Sequence, residues 1–293
     1  MRDVRGHKTE RMGDGKMLAA FGINVLLTVA QVIGGILSGS LSLIADALHN
    51  FGDAATLAIA LFARKLGRKP PDSFKTFGYK RAETIAALVN LTTLVIVGLY
   101  LLFKALWRFI EPREIEGWTV VIVASIALLI DVATAVLTYK MSKDSMNIKA
   151  AFLHNVSDAL ASVGVIVAGT LILFFGWYWV DTLLTLAIAV YILWQGFTTL
   201  PRVIHLLMEG TPEHLSIDEV VSAMEALDGV ENVHHVHIWQ LNEHQNALET
   251  HVVSKAEKLS DIEEIKSRLK TMLSKRFYIG HSTLEFESVA RRD

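Results

Sequence analysis

The chain has 293 residues, of which 52% are hydrophobic, and its mean hydropathy is +0.40. That composition is too apolar for an ordinary soluble protein, and the lack of cysteine excludes disulfides, thiolate metal sites and cysteine nucleophiles. Residues 1–212 carry 19 basic and 15 acidic side chains, whereas residues 213–293 carry 9 and 15, so a net charge of +4 precedes one of −6. The acidic tail argues against a nucleic-acid partner and suits a cation.

Six segments are apolar enough to cross a bilayer as helices, which takes about 20 residues each. They lie at about 17–37, 41–63, 84–106, 118–140, 150–175 and 179–203. A buried core helix is the alternative for any single apolar run, but six runs that alternate with charged loops favour an integral membrane protein in contact with the lipid bilayer. Residues 1–16 are polar and charged, so we expect no cleavable signal peptide.

Basic side chains cluster on alternate loops between the spans. The N-terminal segment 1–16 carries five Lys or Arg, the loop after the second span seven and the loop after the fourth span three. Aromatic residues such as those of Trp177–Trp179 lie at the opposite turns, as in an interfacial belt. The positive-inside rule therefore places both termini and the tail in the cytoplasm, and we expect a bacterial inner membrane.

One seven-residue pattern, Leu-His-Asn-x-x-Asp-Ala, occurs in the second span and again in the fifth. Its first copy contains His49 and Asp53, and its second copy contains His154 and Asp158. A spacing of four residues puts each His and Asp on one face of a helix, one turn apart. Ionisable residues inside a bilayer are costly and mark functional sites.

Two imidazoles and two carboxylates make a suitable ligand set for Zn²⁺, which prefers four ligands in a tetrahedron. The set suits zinc, cadmium or cobalt better than magnesium or calcium, which take more oxygen ligands. Hydrogen bonds between helices are the alternative for each His–Asp pair, but duplication favours a metal. We therefore predict one site, shared by the second and fifth spans, built from His49, Asp53, His154 and Asp158.

Other polar residues of the spans have less specific interpretations. Asn50 and Asn155 follow the two His residues, point about 100° away on the helix and are expected to support packing. Asp46 lies one turn before the first His and could line an access vestibule. Asp131 has no evident partner, so pairing and a proton path both stay open, and Asp181 follows the aromatic turn and is expected at the membrane interface.

After Pro212 the pattern predicts a small cytoplasmic α+β domain. The predicted elements are a helix at 217–227, strands at 233–241 and 247–254, a helix from Ser260 and a strand at 282–288. Glu263 stands at capping-box spacing from Ser260. The order αββαβ predicts a three-stranded, ferredoxin-like sheet covered by helices on one face. A domain of about 80 residues is small to be stable alone, which favours a metal or a dimer partner.

Seven of the eleven His residues lie in this tail. Alternation along its first strand puts His234 on one face and both His235 and His237 on the other. The second strand carries His251, and the third lies between His281 and Glu287. A single surface His is as often merely solvated, but the cluster favours metal binding.

Four features agree in order and spacing over nearly the whole chain. They are the repeated His-Asn-x-x-Asp, the six spans, Phe77–Glu83 before the third span and Val236–Trp239 in the tail. Together they resemble the cation diffusion facilitator family. The resemblance implies a homodimeric antiporter that moves Zn²⁺ or a related ion out of the cytosol in exchange for H⁺. The two-His, two-Asp set looks like the family's zinc-type version, because manganese-type relatives carry Asp or Asn in place of His.

The resemblance also implies residues outside the spans. Cytoplasmic zinc ligands of the family match His234, His251, His281 and Glu287, with His235 as a candidate bridging ligand. Arg81 and Glu209 match a pair that interlocks the membrane and soluble parts, although two unrelated surface charges are an equal alternative. Some relatives hold a metal between the second and third spans with an Asp and two His. Here Asp72 is present but Lys75 and Tyr79 take the His positions, so we expect no such site.

These observations predict an N-terminal cytoplasmic segment at 1–16, a transport domain at 17–208 and a metal-binding, dimerising domain at 209–293. We expect alternating access, with the ion bound from the cytoplasm and displaced by protons on the far side. A membrane metalloenzyme would need richer His motifs, such as HExxH or HxxHH, which do not occur here. A metal sensor that does not transport is an alternative that the sequence leaves open.

Overall fold

The computed structural model describes residues 22–67, 69–141, 146–242, 245–256 and 258–288. The predicted cytoplasmic segment 1–16 and the start of the first span lie outside the described residues. The described chain divides into two compact units, one made of 22–59 with 89–199 and the other of 60–88 with 200–288. The first unit contains the predicted membrane site, and the second contains the loop 69–81 and the tail.

Six long helices occupy the six predicted spans. They are α1, described over Gly22–Ser38, α2 (Leu41–Gly67), α3 (Ala82–Ile110), α4 (Gly117–Met141), α5 (Met146–Phe175) and α6 (Trp179–Leu207). Several continue past the predicted ends by up to four residues, because a helix need not stop where its apolar stretch stops. The predicted helical membrane architecture is confirmed.

Four of the described helices are long and apolar enough to cross a bilayer, namely those within 82–110, 117–136, 152–175 and 179–207. The described part of α1 is shorter, since its predicted start lies outside the described residues. In α2 the apolar sequence is interrupted by Asp46, His49 and Asp53. The other two helices differ for separate reasons: the described part of α1 is short, and α2 is interrupted by the polar groups of the site.

The membrane helices expose many large apolar side chains. Leu99, Phe103, Leu129, Leu160 and Phe174 are all exposed, whereas Leu43, Leu101 and Val165 are fully buried. An apolar outer surface of this extent is abnormal for a protein in water and suits lipid tails.

The turn between α1 and α2 is held by the first turn of α6. Asp181 is fully buried and its carboxylate accepts hydrogen bonds from the Ser40 hydroxyl (2.5 Å), Leu41 N–H (2.9 Å), and the N–H (3.2 Å) and hydroxyl (2.6 Å) of Ser42. The two N–H groups are donors that a helix N-terminus leaves unsatisfied, and a carboxylate is favourable there. Asp181 is thus a cap supplied by another helix, and its expected position at the level of the membrane interface stays a prediction.

A second contact fixes the same turn. Gly39 has a φ of 74°, a left-handed conformation that favours glycine, and its carbonyl accepts a hydrogen bond from Arg108 Nη1 at 2.8 Å. The start of α2 is therefore tied to both α3 and α6 at one end of the helical unit.

The tail forms the predicted αββαβ domain. Its elements are α7 (Ile217–Glu225), β1 (Val230–Asn242), β2 (Gln245–Ser254), α8 (Leu259–Phe277) and β3 (Ile279–Ser288). The sheet order is β1-β2-β3, with β1 antiparallel and β3 parallel to β2. Val220, Met224, Leu269 and Leu273 of the helices pack on one face of the sheet, against residues such as Leu248.

The two helices of this domain begin differently. Ser216 caps α7 through its side chain, which accepts from Glu219 N–H, as the sequence predicts. In α8 the cap residue is Lys258 and no side chain caps the helix. The predicted capping box from Ser260 is therefore wrong, because the helix starts one residue earlier and the Ser260 hydroxyl donates to Asp261 instead.

Candidate metal centres

The two His–Asp repeats meet between α2 and α5. His49 Nε2 lies 3.4 Å from Asp158 Oδ1, and His154 Nε2 lies 3.2 Å from Asp53 Oδ2. Within each helix the corresponding distances are 3.7 Å for His49–Asp53 and 3.6 Å for His154–Asp158. Each imidazole therefore stands between two carboxylates, and the structure brings together all four residues, hereafter the quartet.

The His–Asp distances of the quartet are close to the ligand–ligand distances around a tetrahedral metal ion. Zinc–nitrogen and zinc–oxygen bonds of about 2.0–2.2 Å give tetrahedral edges of about 3.3–3.6 Å. The four His–Asp distances of 3.2–3.7 Å lie around that length and are mostly too long for hydrogen bonds. Each imidazole faces a different oxygen of Asp158. One ligand atom each of His49, Asp53 and Asp158 lies within 4.8 Å of the other two, and His154 approaches this group through Asp53 and Asp158. Among the described residues, none reaches the buried Asp53 Oδ2 with hydrogen-bond geometry. A buried carboxylate oxygen without a donor is costly, and a cation would satisfy it.

The walls of the quartet are unequal. The side chains of His49 and Asp158 are 10% and 11% exposed, whereas those of His154 and Asp53 are 37% and 28% exposed, so the site is more open on the side of the latter two. The Tyr191 ring of α6 stands edge-on to the His49 ring, with centroids 5.9 Å apart. That contact restricts the orientation of an imidazole that would bind the ion.

A glycine lets α3 approach this site closely. Gly52 lies between the two α2 members of the quartet, and a Cβ built on it would come within 2.5 Å of Leu94 Cδ2. Any larger residue would push α3 away from α2 or shift Leu94. The first repeat therefore carries a packing requirement as well as its two candidate ligands.

A buried polar chain links α1 to α2 beside the quartet. Gln31 Nε2 donates to Asp46 Oδ2 at 2.5 Å, and Asn50 Nδ2 donates to Gln31 Oε1 at 3.0 Å. All three side chains are buried, so the expectation that Asp46 lines an open vestibule is wrong, while Asn50 has the predicted supporting role. Sequence reasoning missed Gln31, although a glutamine in an apolar span was a signal.

Asp131 of α4 also has a partner that the sequence did not identify. The Ser162 hydroxyl donates to Asp131 Oδ2 at 2.9 Å, and both residues are buried. Ser162 lies one helical turn beyond Asp158 on α5. Asp131 could pair with another side chain or lie on a proton path, and the hydrogen bond from Ser162 directly supports pairing.

In the tail, three predicted ligands lie together on the sheet. His251 Nδ1 is 2.7 Å from Glu287 Oε1, and His234 Nε2 is 3.5 Å from Glu287 Oε2. One ligand atom from each of the three lies within 4.8 Å of the others. Glu285 Oε2, 3.6 Å from His251 Nε2, adds a carboxylate that sequence reasoning missed, although it lies two positions before Glu287 on the same strand face.

A β-bulge changes the position of the neighbouring His residues. His234 pairs with His251 and His237 pairs with Glu249, so two residues of β1 stand opposite one of β2. The prediction that alternation separates His235 from His234 is wrong, because this extra residue breaks the alternation. The His235 ring is 4.9 Å from the His251 ring and 4.8 Å from the His237 ring.

The structure does not bring His281 to this group. His281 pairs with Ala247 in the sheet, six positions before Glu287 along β3, and its ring stands edge-on to Phe77 with centroids 5.4 Å apart. The expected ion pair between Arg81 and Glu209 is present, with Nη2 and Oε1 2.9 Å apart.

The loop 69–81 is organised by the Asp72 carboxylate. Oδ1 accepts from the N–H groups of Phe74 (2.8 Å) and Lys75 (2.7 Å), and Oδ2 accepts from the Tyr79 hydroxyl (2.8 Å). The Tyr79 hydroxyl and the two N–H groups hold the pKa of Asp72 below its usual value, and the Asp72 carboxylate raises the pKa of Tyr79. Asp72 matches the Asp of the metal site that some relatives hold in this loop. Here it accepts hydrogen bonds instead, one of them from Tyr79, which stands at a His position of that site.

Replacing Tyr79 with Phe should raise the pKa of Asp72 toward the ordinary value of about 3.9. The pKa of Asp72 is lower in the folded loop than in the unfolded chain. Asp72 therefore stabilises the fold fully at a pH above its unfolded pKa, and this stabilisation is lost as the pH falls through its folded pKa. Carboxyl-carbon NMR of Asp72 against pH measures the shift, and the exposed Tyr278→Phe serves as control. An unchanged titration in Tyr79→Phe would refute this role of the hydroxyl.

Comparison with known proteins covers both parts of the chain. The model of the cation efflux transmembrane domain matches residues 17–208, and that of the cation efflux protein cytoplasmic domain matches residues 212–289. The "Cadmium, cobalt and zinc/H(+)-K(+) antiporter" of Bacillus subtilis (strain 168) is 36% identical over 265 residues, which cover 89% of this chain and 85% of the relative.

Two further relatives align over almost the full chain. "Zinc transporter ZitB" of Pectobacterium atrosepticum is 36% identical over 282 residues, covering 95% of this chain and 87% of the relative. "Metal cation efflux system protein CzcD" of Cupriavidus metallidurans is 34% identical over 284 residues, covering 96% and 90%. With two family models and these relatives in agreement, the chain belongs to the cation efflux, or cation diffusion facilitator, family of membrane transporters.

Proposed function

We propose that this protein exports Zn²⁺, and the similar ions Cd²⁺ and Co²⁺, across the membrane through the quartet. The observation that carries the proposal is the convergence of two imidazoles and two carboxylates of α2 and α5, with His–Asp distances of 3.2–3.7 Å that are close to the ligand–ligand distances around a tetrahedral zinc ion. The names of the relatives, which specify zinc, cadmium and cobalt, support the same substrate class. Membership of a family of transporters also argues against an enzymatic function for this chain.

The charges of the quartet suit transient binding of a divalent ion. Asp53 and Asp158 supply two negative charges that balance the ion, and the two imidazoles complete four ligands without a further charge. Four protein ligands satisfy the ion in a site of low dielectric. The more exposed side at Asp53 and His154 provides a way in and out.

We infer that protons drive export by competing with the metal for the same atoms. A ligand imidazole must be neutral and a ligand carboxylate ionised, so binding the ion and binding protons exclude one another. Rocking of the helices would expose the quartet alternately to the cytoplasm and to the far side, where protons would displace the ion. One relative's name includes K⁺ beside H⁺, so a potassium gradient belongs in the test.

Zinc uptake into inverted vesicles should accelerate when the pH outside, at the cytoplasmic face, is raised from about 6 to about 8. An ordinary imidazole titrates near 6.5, so fewer protons then compete for the ligands. The measurement is the initial zinc flux at fixed free zinc, with proton and potassium gradients imposed separately. A zinc flux indifferent to every proton gradient would contradict the antiport, and no flux under any gradient would contradict transport itself.

The tail would hold zinc of its own. His234, His251 and Glu287 offer donors of the kind zinc prefers, close enough to share one ion. Zinc bound there would tie β1, β2 and β3 together in a small domain that has limited core to stabilise it. His235 and Glu285 lie near enough to complete the set after a change of rotamer, whereas the place of His281 beside Phe77 gives it no support as a ligand within one chain.

The proposal extends to the assembly, the membrane orientation and the domain limits of the protein. We propose a homodimer in a bacterial inner membrane with both termini in the cytoplasm, and domain limits at 17–208 and 209–293. The basic loops support the orientation, and the match of a cytoplasmic domain from residue 212 supports a boundary near 209. The ion pair of Arg81 with Glu209 supports their role as an interlock between the loop 69–81 and the tail.

A further inference from the structure

The four residues of the quartet lie at two depths in the membrane. In the proposed orientation α2 runs from the far side toward the cytoplasm, so Asp53 lies one turn nearer the cytoplasm than His49. Helix α5 runs the opposite way, so His154 lies one turn nearer the cytoplasm than Asp158. Four residues of helix span about 6 Å. The more exposed pair, Asp53 and His154, is therefore the cytoplasmic pair, and the buried pair is the far-side pair.

Packing closes the part of α2 that lies between the quartet and the far side. Leu43 is fully buried in a cluster with residues of α4 and α5, and Ala45 is fully buried in a cluster with residues of α3 and α6. On α5, Ser162 lies one turn beyond the quartet toward the far side and bonds to Asp131, with both residues buried. The described helices thus leave the quartet more open toward the cytoplasm than toward the far side.

Two side chains, one on α3 and one on α6, hold the far-side end of α2. The buried Asp181 carboxylate accepts four hydrogen bonds from residues 40–42, and Arg108 donates to the Gly39 carbonyl. For the quartet to open to the far side along the face that buries Ala45, α2 has to move away from α3 and α6. That movement breaks these bonds, which is costly because a carboxylate loses its donors before water replaces them.

We propose that Asp181, together with Arg108, is the far-side gate of the transport site. Its hydrogen bonds to residues 40–42 keep the quartet closed to the far side, and they break before the ion leaves there. This gate rests on the proposed function, from which it takes the orientation and the exported ion. Asp181 thereby acts in the transport cycle as well as in the stability of α2. Weakening the gate shifts the population of conformations toward the one that is open to the far side.

The test measures access to a single thiol from the far side. The chain contains no cysteine, so Ala45→Cys introduces one thiol at the buried contact of α2 with α3 and α6. A membrane-impermeant maleimide is applied to right-side-out vesicles without zinc, and the labelling rate is measured. Adding Asp181→Asn, which removes the charge of the acceptor, should accelerate labelling at least about 10-fold. Adding Ser42→Ala instead removes one donor and should accelerate labelling less. If Asp181→Asn does not fold, Ser42→Ala carries the test with the same expected direction.

Two control positions make the result specific. Ala124→Cys places a thiol in the fully buried cluster of α4 and α5, where Asp181→Asn should leave the labelling rate unchanged. Arg113→Cys lies on the exposed loop between α3 and α4 and should react from the far side in every variant. Protection of that thiol would refute the orientation and the gate with it.

Two labelling results would overturn the gate: an unchanged rate at Ala45→Cys in the Asp181→Asn background, or an equal acceleration at Ala124→Cys, which would indicate general loosening. Zinc release from the same vesicles, loaded with zinc, separates the gate from the proposed function. No zinc release by the unaltered protein would contradict transport itself. Zinc release combined with unchanged labelling would refute the gate alone.

Discussion

Zinc flux should fall at least about 100-fold when Asp158 is replaced by Ala, while the protein stays folded. Asp158 lies between His49 and His154, so the substitution removes one of four ligands and half of the charge that balances the ion. Loss of a group that merely supports a metal ligand already costs about 10–100-fold, and loss of a ligand should cost more. Zinc uptake into proteoliposomes measures the effect.

The neighbouring residue of α5 provides a matched control. Ser157 is exposed and its hydroxyl donates to the Leu153 carbonyl of its own helix, so Ser157→Ala should transport like the unaltered protein. Asp158→Asn keeps the side-chain shape but removes the charge, and it should also lose most of the flux. Undiminished transport by Asp158→Ala would exclude the quartet from the mechanism.

Replacing Asp181 with Ala should destabilise the helical unit by roughly 3 kcal/mol or more, because four donors at the start of α2 lose their acceptor in a fully buried place. Since α2 carries His49 and Asp53, looser anchoring should also weaken zinc binding at the quartet. Unfolding in detergent, followed with and without zinc, measures both effects.

Two further variants serve as comparisons for the stability of Asp181→Ala. Asp218→Ala removes another acidic residue from the first turn of a helix, but an exposed one, and should change stability little. Ser42→Ala removes one hydroxyl donor and leaves the Asp181 carboxylate with its other partners, so its effect should be intermediate. If Asp181→Ala unfolds at the same midpoint as Asp218→Ala, the cap does not anchor α2.

The sequence predicts the spans and the quartet because both follow from local spacing. Apolar runs of sufficient length specify the helices, and a separation of four residues specifies a shared helix face. That two such faces meet follows from their duplication. The hydrogen bonds of Asp181 and Gln31 could not be predicted in this way. Their partners lie on other helices, 139–141 and 15–19 residues away along the chain, respectively. Spacing within one helix cannot identify contacts of that kind.

The cytoplasmic cluster shows where a local rule fails. Strict alternation along β1 assigns His234 and His235 to opposite faces, and it would be right for a regular strand. A single extra residue, with His235 in a left-handed conformation, reverses the assignment for the residues beyond it. The sequence does not locate this bulge, because His is enriched at left-handed positions but most His residues in proteins do not occupy one.

The central claim is that the quartet binds the exported ion with two imidazoles and two carboxylates. X-ray absorption at the zinc edge tests it directly in the full-length chain that carries His234→Ala and Glu287→Ala, which removes two of the three residues of the cytoplasmic group. We expect one zinc with four nitrogen or oxygen ligands at about 2.0–2.2 Å and the scattering of two imidazoles. A zinc surrounded by six oxygens without imidazole, or no bound zinc at all, would contradict the claim.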